Sequence, residues 1–271
     1  KIGYITVSTF STNTAKEFKT ALKALDKKGA KKLVIDMRGN PGGLMTAALK
    51  MASIFLKNGK TIMQVQARDG STEKYTASKK YDGGFKETKP TTVLIDGGSA
   101  SAAEIFSAAL HQSAGVKLVG SQSYGKGTVQ TVTTFNDKTE MKITVAKWLT
   151  PNGTWINKKG LTPDVKADEP SYASLTVISK VSDLQADKVN SNVKTFQKYL
   201  QALGYFKGTV NGYFGDSTTS AVKQYQKHAK LTVNGKVDKQ TLTKIETELA
   251  NKISDNDRAY DAAMKLIEKT N

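Results

Sequence analysis

The sequence predicts an α/β unit followed by a small helical unit. Three observations carry this. Short β-branched apolar runs at 33–37, 92–96 and 116–119 alternate with segments whose apolar residues recur at helical spacing. From 164 to 184 that pattern stops and the chain reads as linker. Beyond it, 189–248 holds three short helical faces separated by tight turns. The expected divisions are 1–168, a linker at 169–188, a helical unit at 189–248 and a C-terminal helix within 249–271.

Taken in order, 1–7 alternates and reads as a strand. Thr12 or Asn13 is placed to cap a helix over 14–28, with Phe18, Ala21, Leu22 and Leu25 on one face. Residues 33–37 form a buried strand, and Gly39-Asn-Pro-Gly-Gly43 a tight turn into a helix over 44–56. Residues 61–67 and 72–78 alternate around Arg68-Asp-Gly70, a hairpin signal. A polar loop follows at 79–90. Strands are expected again at 116–119, 128–135 and 142–149. In the second unit Val193, Phe196, Leu200 and Leu203 share a face, as do Ala221, Val222 and Tyr225, then Leu242 and Ile245. A last amphipathic helix covers 255–268, docking on either unit or on a partner.

The chemistry concentrates at Gly98-Ser-Ala-Ser-Ala-Ala-Glu104 and Gly125-Lys-Gly-Thr-Val-Gln130. Ser101 falls where a buried strand turns into a helix. Backbone N–H groups there lack partners, and the helix dipole favours negative charge, so the position suits an oxyanion. The plain alternative is a capping box, since Ser101-Ala-Ala-Glu104 fits S-x-x-E. A nucleophilic hydroxyl needs a base. His111 is on the same expected helix, roughly 15 Å from Ser101 at 1.5 Å per residue, and His228 is in the second unit. Lysine is then the candidate, through the Ser-Lys variant of the triad. Lys126 sits between two glycines. A lysine acting as base must be neutral, and desolvation is the main means to that. Gln130, uncharged, can orient an amine without adding charge. A phosphate-binding loop fits Gly120 to Lys126, but Gly127 replaces the required Ser or Thr and a strand, not a helix, follows.

Together these residues resemble the C-terminal processing (tail-specific) serine proteases of bacteria. The resemblance rests on Leu33-Val-Ile-Asp-Met-Arg-Gly-Asn-Pro-Gly-Gly-Leu44, Val93 to Glu104, Val119 to Gln130, Leu149-Thr-Pro-Asn-Gly153 and Gly160-Leu-Thr-Pro-Asp164, in that order. It implies a crotonase-like core of repeated ββα units, with Ser101 as nucleophile, Lys126 as base and Gln130 as its orienting partner. It also implies an oxyanion hole from the backbone of Ala102 and of Gly42 or Gly43. The implied substrates are proteins or peptides with exposed C-termini, cut without metal or cofactor. A PDZ domain is expected upstream and does not precede Lys1, so the chain reads as a fragment or processed form lacking signal peptide, membrane anchor and PDZ. Residues 189–248 resemble peptidoglycan-binding domains through 200–205, Asn211-Gly-Tyr-Phe-Gly-Asp216 and Ala221-Val-Lys-Gln-Tyr-Gln226. That implies a cell-wall anchor, with its surface expected around Asn211, Tyr213 and Phe214. The combined reading is an extracytoplasmic enzyme, bound to membrane or wall or secreted, of a Gram-positive bacterium. It admits anchoring through the missing N-terminal segment and a homo-oligomer. The competing reading is a wall-binding envelope protein with an idle protease domain.

Composition limits the alternatives. At 271 residues there is chain for two domains and a sizeable core. The absence of Cys excludes disulfides, zinc-thiolate sites and cysteine-protease chemistry. No apolar run approaches the roughly 18 residues of a membrane span. The formal charge is +17, but the lysines are spread, arginine occurs only at Arg38, Arg68 and Arg258, and no nucleic-acid motif appears. No nucleic-acid partner is therefore expected. A basic surface suits an anionic envelope.

Overall fold

The computed structural model describes residues 1–136 and 139–270, with the side chains of Thr131, Val132 and Lys142 left undescribed. The chain divides into two units. Unit 1 comprises 1–168 together with 258–271, and unit 2 comprises 169–257.

Unit 1 begins with strand β1 (Ile2–Thr6) and helix α1 (Thr14–Lys27). Asn13 is the N-cap residue of α1 but makes no side-chain cap; its carbonyl accepts from Lys16 and Glu17 instead. Next come β2 (Lys32–Asp36), α2 (Met45–Phe55) and the hairpin β3 (Thr61–Gln66) and β4 (Thr72–Thr76). The expected polar loop contains one helical turn, α3 (Lys79–Asp82), whose Asp82 is buried and pairs with Lys86 at 2.7 Å. β5 (Thr91–Ile95), α4 (Ala102–Ala114), β6 (Lys117–Gly120), β7 (Thr128–Thr134), β8 (Glu140–Leu149) and β9 (Val165–Lys166) follow.

Two sheets result. A parallel sheet runs in the order β1-β2-β5-β6-β9, and an antiparallel sheet in the order β4-β3-β8-β7. Central parallel strands are apolar throughout because both faces are covered. Alternation still sorts them. Leu33, Ile35, Val93, Ile95 and Leu118 face a core shared with α1, α2 and α4. Val34, Leu94 and Val119 face the opposite way. The helix that covers that second face is the C-terminal one, α8 (Arg258–Lys269), through Ala259, Ala263 and Ile267. Lys32 Nζ also donates to the Glu268 carbonyl at 2.9 Å. The sequence left the docking of this helix open; it belongs to unit 1, and Asn271, the end of the expected C-terminal segment 249–271, lies outside the described residues.

Unit 2 packs α5 (Ser191–Ala202), α6 (Asp216–His228) and α7 (Lys239–Ser254) around Val193, Phe196, Leu200, Val222, Tyr225 and Ile245. Residues expected as linker contribute to this core, since Ile178 and Leu184 are buried in it. An internal repeat orders the unit. Val193-Lys-Thr-Phe-Gln197 recurs as Val222-Lys-Gln-Tyr-Gln226. The Gln197 amide accepts from Asn211 and Gly212 N–H and donates to the Tyr213 carbonyl. Gln226 does the same with Asn234, Gly235 and Lys236. Each buried glutamine thus holds an Asn-Gly turn by satisfying its backbone groups. Among the described residues no helix is long and apolar enough to cross a membrane.

Burying an isoleucine and two alanines makes α8 part of the core of unit 1, with the Ile267 side chain alone contributing about 1.5–3 kcal/mol. Both tryptophans, Trp148 and Trp155, lie in unit 1, so their fluorescence reports that unit. Ala263→Asp, which places a charge against Val34, Leu94 and Val119, should lower the urea midpoint of that signal, with a loss of about 3 kcal/mol or more. An unchanged midpoint would show that α8 does not stabilise the sheet.

Candidate active site

β2, β5 and β6 are adjacent and parallel, so the turns that leave them share one edge of the sheet. Clefts at such carboxyl ends are where α/β folds bind ligands. The turns after β2 and β5 are joined to one another. Gly39 and Gly98 N–H both donate to Asp96 Oδ1, at 2.8 and 2.9 Å. Ser99 Oγ donates to the Met37 carbonyl at 2.8 Å. Asn40, fully buried, donates from Nδ2 to the Val7 carbonyl at 2.7 Å and accepts at its own carbonyl from Ala100 N–H at 2.9 Å. A Cβ on Gly98 would lie 2.8 Å from the Gly39 Cα, so this approach requires glycine.

Ser101 closes the second turn at φ 54°, ψ −114°. An ordinary N-cap residue is extended. A non-glycine at positive φ costs about 1–3 kcal/mol, and such strain collects at functional sites. The capping-box relation is also present, with Ser101 N–H donating to Glu104 Oε2 at 2.8 Å. The two readings of the serine are therefore compatible: the carboxylate caps, while the hydroxyl is presented on a sharp turn of the nucleophile-elbow type.

The oxyanion candidates separate on their hydrogen bonds. Gly42 N–H donates to Asn40 Oδ1 at 2.8 Å, and a Cβ on Gly42 would come within 2.8 Å of the Ser101 Cβ. Gly42 therefore explains why the backbone can lie against the serine, but its N–H is occupied. Gly43 is exposed, and neither its N–H nor that of Ala102 has a partner among the described residues.

Glu104 connects Ser101 to the Lys126 loop. Its side chain is fully buried. Besides Ser101 N–H, it accepts from Ser123 Oγ at 2.6 Å, Gly125 N–H at 2.7 Å and Lys126 N–H at 2.9 Å. Four donors, one on the serine turn and three on the loop, compensate one buried charge. Lys126 itself is half-buried, and its amine makes no hydrogen bond to a described residue. Catalytic hydrogen bonds are commonly loose until substrate binds. Gln130 is exposed on β7, opposite Thr144 of β8. Sequence reasoning saw Glu104 only as half of a capping box. The signal that would have found its second role is a carboxylate buried beside two glycine-rich turns.

In unit 2 the residues expected to bind wall divide differently. Phe214 is 1% exposed and stacks on Phe196, and Asn211 Oδ1 is taken by Gln197 Nε2 and Tyr213 N–H. Phe214 is thus a core residue and not part of a surface, whereas Asn211 stays exposed with its Oδ1 tied into the turn. Tyr213 remains exposed, its hydroxyl donating to Asp187 Oδ1 at 2.8 Å.

A serine on a strained strand-to-helix turn, beside free backbone N–H groups at the carboxyl edge of a parallel sheet, is the arrangement of a serine hydrolase. The family model for peptidase family S41 matches residues 1–167, and the chain belongs to that family. A model for a putative peptidoglycan binding domain matches residues 189–245. The carboxy-terminal processing protease CtpA of Bacillus subtilis (strain 168) is 47% identical over 268 residues, covering 99% of this chain and 56% of that protein. CtpB of the same organism is 37% identical, covering 98% and 55%. A probable CtpA-like serine protease of Staphylococcus aureus is 38% identical, covering 98% and 53%. The chain thus spans about half the length of the curated relatives it matches. Among solved structures, a photosystem II D1 C-terminal processing protease aligns with TM-score 0.56 at 35% identity, covering 62% of this chain and 42% of that one. A putative S41 protease from Bacteroides fragilis aligns with TM-score 0.54 at 18% identity, covering 65% and 49%, and speaks for the fold.

Glu104→Gln puts an amide NH2 where one carboxylate oxygen accepted two donors, Ser101 and Lys126 N–H at Oε2 or Ser123 Oγ and Gly125 N–H at Oε1. Each buried donor left unpaired costs about 1–3 kcal/mol. The variant should unfold at lower urea and lose amide-exchange protection at 125–127 and at Ser101. Wild-type protection at both places would show that the carboxylate is not what joins them.

Proposed function

We propose that this chain is the catalytic and wall-binding portion of a serine endopeptidase that cuts proteins near exposed C-terminal tails. The observation that carries the reading is Ser101 at positive φ, with Glu104 fastening the Lys126 loop to the same helix start. Ser101 Oγ attacks the scissile carbonyl while the Lys126 amine, as the base, takes its proton and returns it to the leaving amine. The developing oxyanion lies between the N–H groups of Ala102 and Gly43, at the positive end of α4. Of the two glycines, Gly43 is favoured because the Gly42 N–H is already bound. Gln130 takes the orienting role on the resemblance of the Lys126 segment alone. Leu44 and Tyr124, both exposed and close in sequence to the Gly-Gly turn and to Lys126, suit a polypeptide substrate.

Unit 2 holds the enzyme on peptidoglycan, outside the cytoplasm. The support is the family match over 189–245 together with the basic charge.

Ser101→Ala and Lys126→Ala should each reduce turnover of an unfolded protein substrate by 10³-fold or more, with the urea midpoint nearly unchanged. Cleavage by Ser101→Ala at the wild-type rate would refute the assignment.

Wall retention is checked by sedimentation with purified peptidoglycan. Because unit 2 is inserted between β9 and α8, the control replaces 169–257 by a flexible linker and keeps α8. The full chain should sediment and the control should stay in solution. Equal sedimentation would remove unit 2 from the account.

A further inference from the structure

The three residues Gly125, Lys126 and Gly127 leave no backbone polar group unpaired. Gly125 and Lys126 N–H go to Glu104, as described. The Gly125 carbonyl accepts from Lys158 N–H at 2.7 Å. The Lys126 carbonyl accepts from Trp148 Nε1 at 2.7 Å. Gly127 N–H donates to Asn157 Oδ1 at 3.1 Å, and its carbonyl accepts from Trp155 Nε1 at 2.8 Å. The chain has two tryptophans, and both place the indole N–H on successive carbonyls of this loop.

A buried indole needs an acceptor somewhere, so Trp148, at 1% exposure, could be a satisfied core residue and nothing more. Trp155 answers differently. It is 38% exposed, so water could satisfy its N–H, yet it bonds to Gly127. Its ring is held from the other side by Lys147, whose Nζ lies 4.2 Å from the ring centroid. The glycines fit the same purpose. A Cβ on Gly127 would lie 2.7 Å from Trp155 Nε1 and 2.8 Å from Asn157 N, and one on Gly125 would lie 2.7 Å from Gly160 N. Both glycines admit the 155–160 turn and the indole to the loop.

We propose that Trp148 and Trp155 are positioning residues for Lys126. In this role they act on the backbone that carries the lysine. A lysine amine hangs from four rotatable bonds, and this one makes no hydrogen bond to a described residue. What decides where it can reach is then the placement of its Cα, and a displacement of about 1 Å is enough to cost on the order of 100-fold in rate. The indoles fix that placement from the carbonyl side of the loop, as Glu104 does from the amide side. The inference rests on Lys126 being the base.

The test uses the full chain, with Trp155→Phe and with each tryptophan replaced singly by benzothienylalanine, which keeps the ring shape and lacks the N–H. The isostere serves Trp148, where phenylalanine would leave a cavity. The expected result with a peptide substrate is a 10- to 100-fold fall in kcat at a KM within about twofold of wild type. The decisive arm repeats Trp155→Phe in a Lys126→Ala background with an activated ester, whose leaving group needs no proton. There the second substitution should cost nothing more, because the group it positions is gone. Wild-type kcat in the isosteric variants, or the same loss with and without Lys126, would overturn the proposal. Full peptide turnover by Lys126→Ala alone would instead dispose of the lysine as base.

Discussion

A single carboxylate with no access to water holds the candidate site together. Left unpaired, the Glu104 charge would be costly in the interior. Its cost is offset by four donors, and the position of those donors is what matters: Ser101 on one turn, Ser123, Gly125 and Lys126 on another. The two segments that must meet for a serine and a lysine to cooperate are therefore joined by the requirement that this charge be satisfied.

The surrounding scaffold makes that junction available. Parallel strands β2, β5 and β6 deliver their turns to one edge, and glycines at 42 and 98 let the turns lie backbone to backbone. Asn40 and Asp96 then pair the freed N–H groups, so the crowding carries little polar cost. The outcome is a backbone in which Ser101 can be held at a positive φ it would not choose by itself. The strain is local, whereas the hydrogen bonds that enforce it come from both neighbouring turns and from Val7, just beyond β1.

The far face of the same sheet depends on a segment distant in sequence. β9 ends near residue 168, the chain builds unit 2, and only then does α8 return to cover Val34, Leu94 and Val119. In sequence, unit 2 is thus an insertion between two parts of unit 1. Within unit 2 the repeated glutamine clasps achieve with neutral amides what Glu104 achieves with charge: one buried side chain satisfies the backbone of a turn and so fixes its course.

Much of this was legible in the residues. Alternation and β-branching located β2, β5 and β6, because strands buried on both faces must be apolar throughout. The Gly98 to Glu104 and Gly125 to Gln130 segments were singled out by residue types that chemistry demands. Local pattern could not say that Gly42 and Gly43 differ, since that depends on which N–H meets Asn40. Nor could it place Phe214 in the core or α8 on the sheet, because an amphipathic face states that burial is needed and not against what. The sequence by itself determined the element types, the two-unit order and the candidate nucleophile, all of which follow from periodicity and composition within short windows. Only the tertiary structure decided what Glu104, Trp148 and Trp155 do, because their partners lie 19 or more residues away in the chain, or on a turn that no local preference aims at them.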